Sequence, residues 1–316
     1  MVIVSARRCV NSSTSETTIR IATRASALAL WQAHHVADLL RAQADVQVEF
    51  VGLTTTGDQR TDVPISVIGG KGVFVKEVQA ALLDGRADIA VHSAKDLQAL
   101  TPDGLVICAV PERGDPRDVL IGSSIEELAA VANPTVATGS ARRRVQVQHL
   151  LAQANVTATF AELRGRIETR LEKSAGFNAI VMASAALERL GLTVEKVHTL
   201  SVDEMVPQVG QGTLAVECRA DDADIAALMS SIDHAPSHRL LDAERGFLLE
   251  LGGDCDLPAG AHATFAENDE IRVTGVMSDM DGANLERATH QGTNGPEVGA
   301  EVARRVMRNR PSEPRG

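Results

Sequence analysis

At 316 residues the chain is long enough for two or three domains, and an apolar content of 44% is that of a globular protein. No apolar run is long enough to cross a bilayer. A net charge of -11 argues against a nucleic-acid partner, because phosphate binding needs a surplus of Lys and Arg. Aromatics make up only 2% and Tyr is absent, so the core is expected from Val, Leu, Ile and Ala, a composition that suits α/β layers.

Residues 1–16 are polar, rich in Ser and Thr, and lack the apolar core of a signal peptide, so a disordered tail is expected there. Strand-like and helix-like segments then alternate. Ile19–Thr23 reads as a strand, followed by a helix capped by Ser26 that runs to about Ala42. Val46–Leu53 is the next strand, Gly72–Leu83 a helix closed by Gly85, and Ala87–His92 a short buried strand. Leu105–Val110 is a continuous apolar run and reads as a further buried strand holding Cys108. This βαβα rhythm predicts a mainly parallel sheet with helices on both faces.

The rhythm restarts after Asp115-Pro116. Strands at Thr135–Thr138, Thr157–Leu163 and Ala179–Ala183 alternate with helices at Ser140–Ala154, 166–175 and 185–190. The two stretches match locally. Ile21-Ala22-Thr23-Arg24-Ala25-Ser26 parallels Val136-Ala137-Thr138-Gly139-Ser140-Ala141, and the strand at 87–92 parallels that at 178–183. Two α/β domains of similar plan, facing each other across a cleft, are expected. Thr213–Cys218 is strand-like and Asp224–Ser230 helical. From about His234 a third region carries a helix to Leu251, strands at 260–266, 270–278 and 285–290, and a helix near 296–308, which is a small α+β domain.

The turns at Thr23–Ser26 and Thr138–Arg143 join strand to helix. A helix N-terminus offers unpaired N–H groups and partial positive charge, and Arg24, Arg142 and Arg143 add cations that hold carboxylates. Ligands of open α/β sheets bind at the carboxyl ends of strands, where these turns lie. Ser26 and Ser140 serve equally well as plain helix caps. Of Arg142, Arg143 and Arg144, on one helical turn, at least one must face solvent. Asp96, beside Lys95, is either half of a surface ion pair or the one acid available for proton chemistry in the cleft. No metal-ligand spacing appears, and Gly69-Gly70-Lys71-Gly72 lacks the spacing of a P-loop. Cys9, Cys108, Cys218 and Cys255 form no CxxC pair and no disulfide framework, so a reducing cytoplasm is the natural setting. Cys108 and Cys218 sit in strands as small core residues, whereas Cys255 lies in the loop Gly252-Gly253-Asp254-Cys255-Asp256-Leu257-Pro258. A reachable lone thiol there is either a chance exposed cysteine or a tool.

Taken together these residues resemble the porphobilinogen deaminase (hydroxymethylbilane synthase) family from about Thr18 to about Arg310. The pieces that carry the resemblance are Arg20-Ile21-Ala22-Thr23-Arg24, Ala29-Leu30-Trp31-Gln32-Ala33, Gly69-Gly70-Lys71-Gly72, Ala87 to Ser93 with Lys95-Asp96, Asp115-Pro116-Arg117-Asp118, Leu163-Arg164-Gly165, Val209-Gly210-Gln211-Gly212, and Cys255 with Pro258. The resemblance implies an α/β fold of three domains, two periplasmic-binding-protein-like lobes flanking a cleft plus a small α+β C-terminal domain. It implies domain 1 at 17–112 and 207–231, domain 2 at 116–203 and domain 3 at 235–311. It also implies a monomer that works without nucleic acid or membrane.

In the family a cysteine of the third domain forms a thioether to a dipyrromethane cofactor. Four porphobilinogens are added in turn with loss of ammonia, and hydroxymethylbilane is released by hydrolysis. Cys255 matches that cysteine and Asp96 the catalytic aspartate. By the same matching, Ser93, Lys95, Thr138, Ser140, Arg142, Arg143, Arg164, Arg170 and Arg189 would hold the cofactor, and Arg24, Ser26, Gln32, Lys71 and Gln211 the substrate. Each pyrrole carries an acetate and a propionate, which accounts for an arginine-rich cleft on an acidic chain.

Three motifs depart from the family pattern. Lys-Asp-Val-Pro reads Lys95-Asp96-Leu97-Gln98, Arg-Gly-Asn reads Arg164-Gly165-Arg166, and the glycine before the cysteine is Asp254. Asp254 and Asp256 flank the sulfur, and carboxylates on both sides should raise its pKa and thin its thiolate. The rival readings are a two-lobed small-molecule-binding protein, which needs neither Cys255 nor Asp96, and a catalytically degenerate deaminase.

Overall fold

Thr17–Arg24 is the first strand, β1, with Ile21, Ala22 and Thr23 buried in succession as in an interior strand, and Ser26 then starts helix α1, Ala27–Gln43, its Oγ accepting from the Ala29 N–H at 3.3 Å. The inward face of α1 carries Ala29, Ala33, Val36, Ala37 and Leu40, the spacing of a helix packed on one side. The computed structural model describes residues 17–53, 75–252 and 258–308. The expected tail at 1–16 and the start of the helix expected from Gly72 lie outside the described residues. After α1 come β2 (Val46–Leu53), α2 (Lys76–Leu83), β3 (Ile89–Ser93), a 3₁₀ turn at Ala94–Asp96, and β4 (Leu105–Ala109).

The chain then crosses to a second lobe. There it forms β5 (Asp118–Ile121), α3 (Ile125–Ala129), β6 (Thr135–Ala137), α4 (Ala141–Ala152), β7 (Thr159–Ala161), α5 (Ile167–Glu172), β8 (Ala179–Ala183), α6 (Ser184–Arg189) and β9 (Val197–Thr199). It returns to the first lobe as β10 (Leu214–Arg219) and α7 (Ala223–Met229).

The strand orders are β2-β1-β3-β10-β4 and β7-β6-β8-β5-β9. The two sheets therefore share one plan, with β1, β2 and β3 standing where β6, β7 and β8 stand. The local sequence matches between the two stretches fall on these equivalent positions.

The sheets are mixed, which corrects the expectation of mainly parallel ones. In each, two ladders are parallel and two antiparallel. The reversal arises where the chain changes lobe, because β5 and β10 enter their sheets from the other lobe and run against β8 and β3. Cys218 is buried as expected, but Cys108 is only partly so. Its strand β4 is the open edge of the sheet rather than an interior strand.

Helices cover both faces of each sheet. On the first, α1 closes one face with Val36 and Leu40, and α2 the other with Val78 and Leu82. On the second, Leu128 of α3 with Val147 and Leu151 of α4 lie opposite Ile167 and Leu187. Each such side chain, fully buried, contributes about 1.5–3 kcal/mol. Leu28 of α1 packs into the cluster of the second lobe, so apolar contact also joins the two lobes.

The third domain begins with α8 (Ala235–Glu250), capped by His234. Strands β11 (Ala259–Phe265), β12 (Ile271–Met277) and β13 (Glu286–Gly292) pair antiparallel in that order, and α9 (Gly295–Arg308) completes it. Helices α8 and α9 lie on one face of the sheet around Phe247, Val273, Val298 and Val302. They meet so closely that a Cβ on Gly299 would overlap the Ala243 carbonyl. Leu241 of α8 packs with Ala94 and Leu97 of the first lobe, and Ala99 and Val209 join the third domain's core. Among the described residues no helix is long and apolar enough to cross a membrane.

Candidate active site

The carboxyl ends of β1, β3, β6 and β8 lead into the turns that carry most of the expected site residues. Two connected spaces lie there. One, of about 420 Å³ including open solvent, is bounded by Arg24, Ser26, Leu28, Ala29, Gln32, Val75, Val78, Val91, His92, Ser93 and Asp96. The second, of about 270 Å³, shares Leu28 and Ser93 with the first and continues past Lys95 to Ala183, Ala185, Ala186, Arg189, Gly210, Gly212 and Thr213. The two form one cleft between the lobes.

Asp96 is the one carboxylate among the described residues lining this cleft. It forms no salt bridge with Lys95, so the plain surface-pair alternative is not what the structure shows. The 3₁₀ turn sends the neighbouring side chains apart: Asp96 lines the space near Arg24, and Lys95 the space toward Arg189. The turn is pinned from behind. Gln208 donates to the Lys95 carbonyl at 3.0 Å. Gly210, at φ 72°, lies so close that a Cβ there would sit 2.9 Å from Ala94 and 3.0 Å from the Lys95 nitrogen. Arg245 of α8 donates to the carbonyls of Gln98 at 3.0 Å and Ala99 at 2.7 Å, which holds the chain after Asp96 without the family's proline. Gln32 donates to Ser93 Oγ at 2.8 Å, orienting that hydroxyl.

Beyond Lys95 lies a group of cations. Loss of water, and then the charge of Arg143, hold the Lys95 ammonium down to about 8, against the pull of Asp96 and Asp118. Ser140 caps α4 by accepting from the Arg143 N–H at 3.4 Å, and its own N–H donates to Thr138 Oγ1 at 3.2 Å. Arg142 and Arg143 are buried and turn inward to Asp118, while Arg144 faces solvent and pairs with Glu162 at 3.2 Å, as one arginine of the three must. Arg164 reaches Glu162 at 3.2 Å. Arg166 is exposed at the start of α5. Burial first, and Arg143 next, lower Arg170 to about 10. Burial likewise lowers Arg189 to about 10, while Arg189 donates to the Gly212 carbonyl at 2.7 Å and lies 5.7 Å above the Trp31 ring. Gln211 is fully buried and bonded to Pro116 and Asp118, so it stands behind the cleft rather than in its lining. Cys255 and Lys71 lie outside the described residues.

The donor set fits a polycarboxylate. Arg142 Nε, Arg164 Nη1 and Arg170 Nε are buried with no hydrogen-bond partner among the described residues, and buried charged donors of this kind need an acceptor. Among the same residues no group of His, Cys, Asp and Glu could hold a metal ion.

Three buried acids were not assigned as site residues from the sequence. Asp118 accepts from Arg143 and Gln211 and pairs with the charge of Arg142. Glu217 of β10 receives Gln79 at 2.9 Å and faces His92 at 3.0 Å. Glu244 of α8 receives Arg113 at 2.6 Å. The signal that could have found them is an acid at an inward position of an apolar element, which is stable only when paired.

The sequence comparisons agree with this geometry. The family model for porphobilinogen deaminase, dipyromethane cofactor binding domain, matches residues 19–227, and that for the porphobilinogen deaminase C-terminal domain matches 239–308. A porphobilinogen deaminase of Nitratidesulfovibrio vulgaris (strain DSM 19637 / Miyazaki F) is 44% identical over 281 residues, covering 88% of this chain and 87% of that one. One of Brevibacillus brevis is 42% identical over 294 residues, covering 91% and 93%. One of Chromobacterium violaceum is 42% identical over 278 residues, covering 87% and 88%. With both halves of the chain matched and the cleft built as described, the chain belongs to the porphobilinogen deaminase family.

Proposed function

We propose that the inter-lobe cleft carries out the deaminase reaction of the family. Four porphobilinogen units are joined stepwise with loss of ammonia, on a dipyrromethane tethered through Cys255, and hydroxymethylbilane is released by hydrolysis. The observation that supports this most is that Asp96 is the one carboxylate among the described residues lining the cleft, while beyond Lys95 buried guanidinium nitrogens of Arg142, Arg164 and Arg170 have no hydrogen-bond partner among those residues. When bound, the dipyrromethane supplies the pyrrole carbon onto which the first unit is joined. Its carboxylates suit Arg142, Arg143, Arg164 and Arg170, with Ser140 and Thr138 at the N-terminus of α4 adding donors.

Arg24 and Ser26 at the N-terminus of α1 suit the acetate and propionate of the incoming substrate. Asp96 stands beside them, placed to stabilise the positive charge that grows on the substrate's methylene carbon and pyrrole ring as ammonia leaves the aminomethyl group, and to pass on the proton lost when the new carbon–carbon bond forms. Lys95, held at about 8, stays largely charged near neutrality and contributes a cation between the two groups. The same reading makes the chain a cytoplasmic monomer of three domains at 17–112 with 207–231, 116–203 and 235–311, with no nucleic-acid partner, in keeping with its charge of -11.

Intact-protein mass spectrometry tests the tether. The purified chain should carry one adduct, located at Cys255 by peptide mapping and absent in Cys255→Ser. A chain with no adduct after incubation with porphobilinogen would overturn the proposal. The flanking acids make a second prediction. Asp254→Gly removes a carboxylate beside the sulfur, so the adduct should form faster near neutral pH, with the difference narrowing as pH rises and the parental thiol ionises. Equal rates for parent and variant across that range would show that Asp254 does not restrain the thiol.

A further inference from the structure

Asp118 opens β5 and is completely buried. Its Oδ2 lies 2.8 Å from Arg142 Nη2, and its Oδ1 accepts from Arg143 Nε at 2.9 Å and Gln211 Nε2 at 3.0 Å, with Arg143 Nη2 also at 2.8 Å. The partners are anchored in turn. Arg142 donates to the Val206 carbonyl at 2.7 Å, Arg143 to the Val181 carbonyl at 3.2 Å, and Gln211 to the Pro116 carbonyl at 2.7 Å. Pro116 lies on the segment by which the chain enters the second lobe, and Val206 and Gln211 on the segment by which it returns. One carboxylate therefore fixes both cations at the N-terminus of α4 and ties them to both crossings between the lobes.

Burial alone would push this acid toward its neutral form. Arg142 first and Arg143 next outweigh that and hold it at about 2, so it is an anion throughout the working range. A buried ion cluster that serves only stability is often replaceable by apolar residues at no cost. Here the cluster has unspent donors, since Arg142 Nε is buried without a partner among the described residues. Its charge also reaches the cleft lining, because Asp118 raises the Lys95 proton affinity while Arg142 and Arg143 lower it.

We infer that Asp118 is the positioning residue of the cation cluster: it aims Arg142 and Arg143 at the pyrrole carboxylates and offsets one of the three positive charges that they and Lys95 bring together. The inference rests on the function proposed above. Asp118 itself is too deep to touch substrate, so its effect runs through the two arginines and Lys95.

The test uses the full chain as Asp118→Asn, which keeps the shape and removes the charge, and as Asp118→Glu, which keeps the charge and shifts it by one methylene. Three readouts are taken. These are the time course of the adduct mass on chain prepared without porphobilinogen and then supplied with it, the KM and kcat of the loaded fraction, and the pH midpoint of Lys95 labelling by acetic anhydride. The Asn variant should load about tenfold more slowly and show KM raised about tenfold, because a displaced anchor weakens binding of every carboxylate. Its kcat per loaded chain should fall by only about threefold, since Asp96 is unchanged. Its Lys95 midpoint should fall below the parental value of about 8, because Asp96 would then oppose Arg142 and Arg143 without the help of Asp118.

A folded Asn variant with parental loading rate, KM and Lys95 midpoint would overturn the inference. If the Asn variant fails to fold, the Glu variant decides: KM must still rise while the Lys95 midpoint stays parental, and an unchanged KM overturns the positioning role. A parent chain that takes no adduct would instead sink the functional reading. The Lys95 midpoint then decides alone whether Asp118 sets the charge of the cluster.

Discussion

Asp96→Asn should fold as the parent does and lose turnover by about a hundredfold or more. The fold should persist because Asp96 is half-buried at the rim of its turn and makes no hydrogen bond or salt bridge to the described residues, so its loss orphans no partner. The turn itself is held by other groups, Gln208 on the Lys95 carbonyl and Arg245 on the carbonyls of Gln98 and Ala99. Turnover should fall because Asn is isosteric but cannot carry negative charge or take a proton, and no other carboxylate among the described residues lines the cleft. KM should move little, since Arg24, Ser26 and the arginines near α4 are untouched. Steady-state kinetics normalised to the adduct-bearing fraction by intact mass, with circular dichroism and thermal melts as the check on folding, decides the matter. Turnover near that of the parent in a loaded Asn variant would remove Asp96 from the catalytic role.

Much of this was legible in the residues. Ser26 and Ser140 announce their helices by being caps in front of apolar periodicity, and both cap as expected. Ala179–Ala183 is a strand over the residues its apolar run spans. The repeated plan of the lobes showed in short matches because equivalent strand ends need the same small and hydroxyl residues.

What escaped was non-local. β5 and β9 are three or four residues long and have no period to detect, yet β5 decides that the sheet is mixed, and β4 reads as interior until β10 is seen to close over only one side of it. Arg142 and Arg143 were visible as cations. That they are aimed by Asp118, more than twenty residues earlier, depends on β5 pairing with β8 rather than on any local pattern. Glu244 escaped for the same reason. Its helix is amphipathic, and an acid on the inward face looks like a lapse in the pattern until the groups it meets are brought in from three other segments.

Those groups make Glu244 the site of the largest expected loss of stability. It is completely buried in α8. Oε1 accepts from Arg113 Nη1 at 2.6 Å and from the Ala263 N–H of β11 at 2.9 Å, and Oε2 accepts from the Gly210 N–H at 2.7 Å. His262 Nδ1 lies 3.4 Å from Oε1. Arg113 also donates to the Gln211 carbonyl at 2.8 Å, so one acid joins the third domain to both crossings between the lobes. Glu244→Ala leaves a nearly buried guanidinium and two backbone donors without their acceptor, and breaking a buried pair from one side costs about 3–5 kcal/mol. For a chain of this size that corresponds to a fall in melting temperature on the order of 10 °C.

The pH dependence separates charge from packing. Burial would raise the Glu244 pKa, but Arg113 first and His262 next overcome it and hold the acid at about 2 against an ordinary 4.5. A carboxylate whose folded pKa is depressed contributes stability that is fully present above its unfolded pKa and is lost as pH falls through the folded one. Here that is about 3 kcal/mol, present above pH 4.5 and lost between there and about 2. Glu244→Gln keeps the side-chain shape but cannot titrate, so its deficit relative to the parent should be largest at neutral pH and shrink below about pH 4.5. Urea unfolding of parent and variant at equal adduct occupancy, from pH 7 down to pH 3, measures this directly. A deficit that stays constant across that range would mean that Glu244 acts by shape alone and that its charge does not join the three domains.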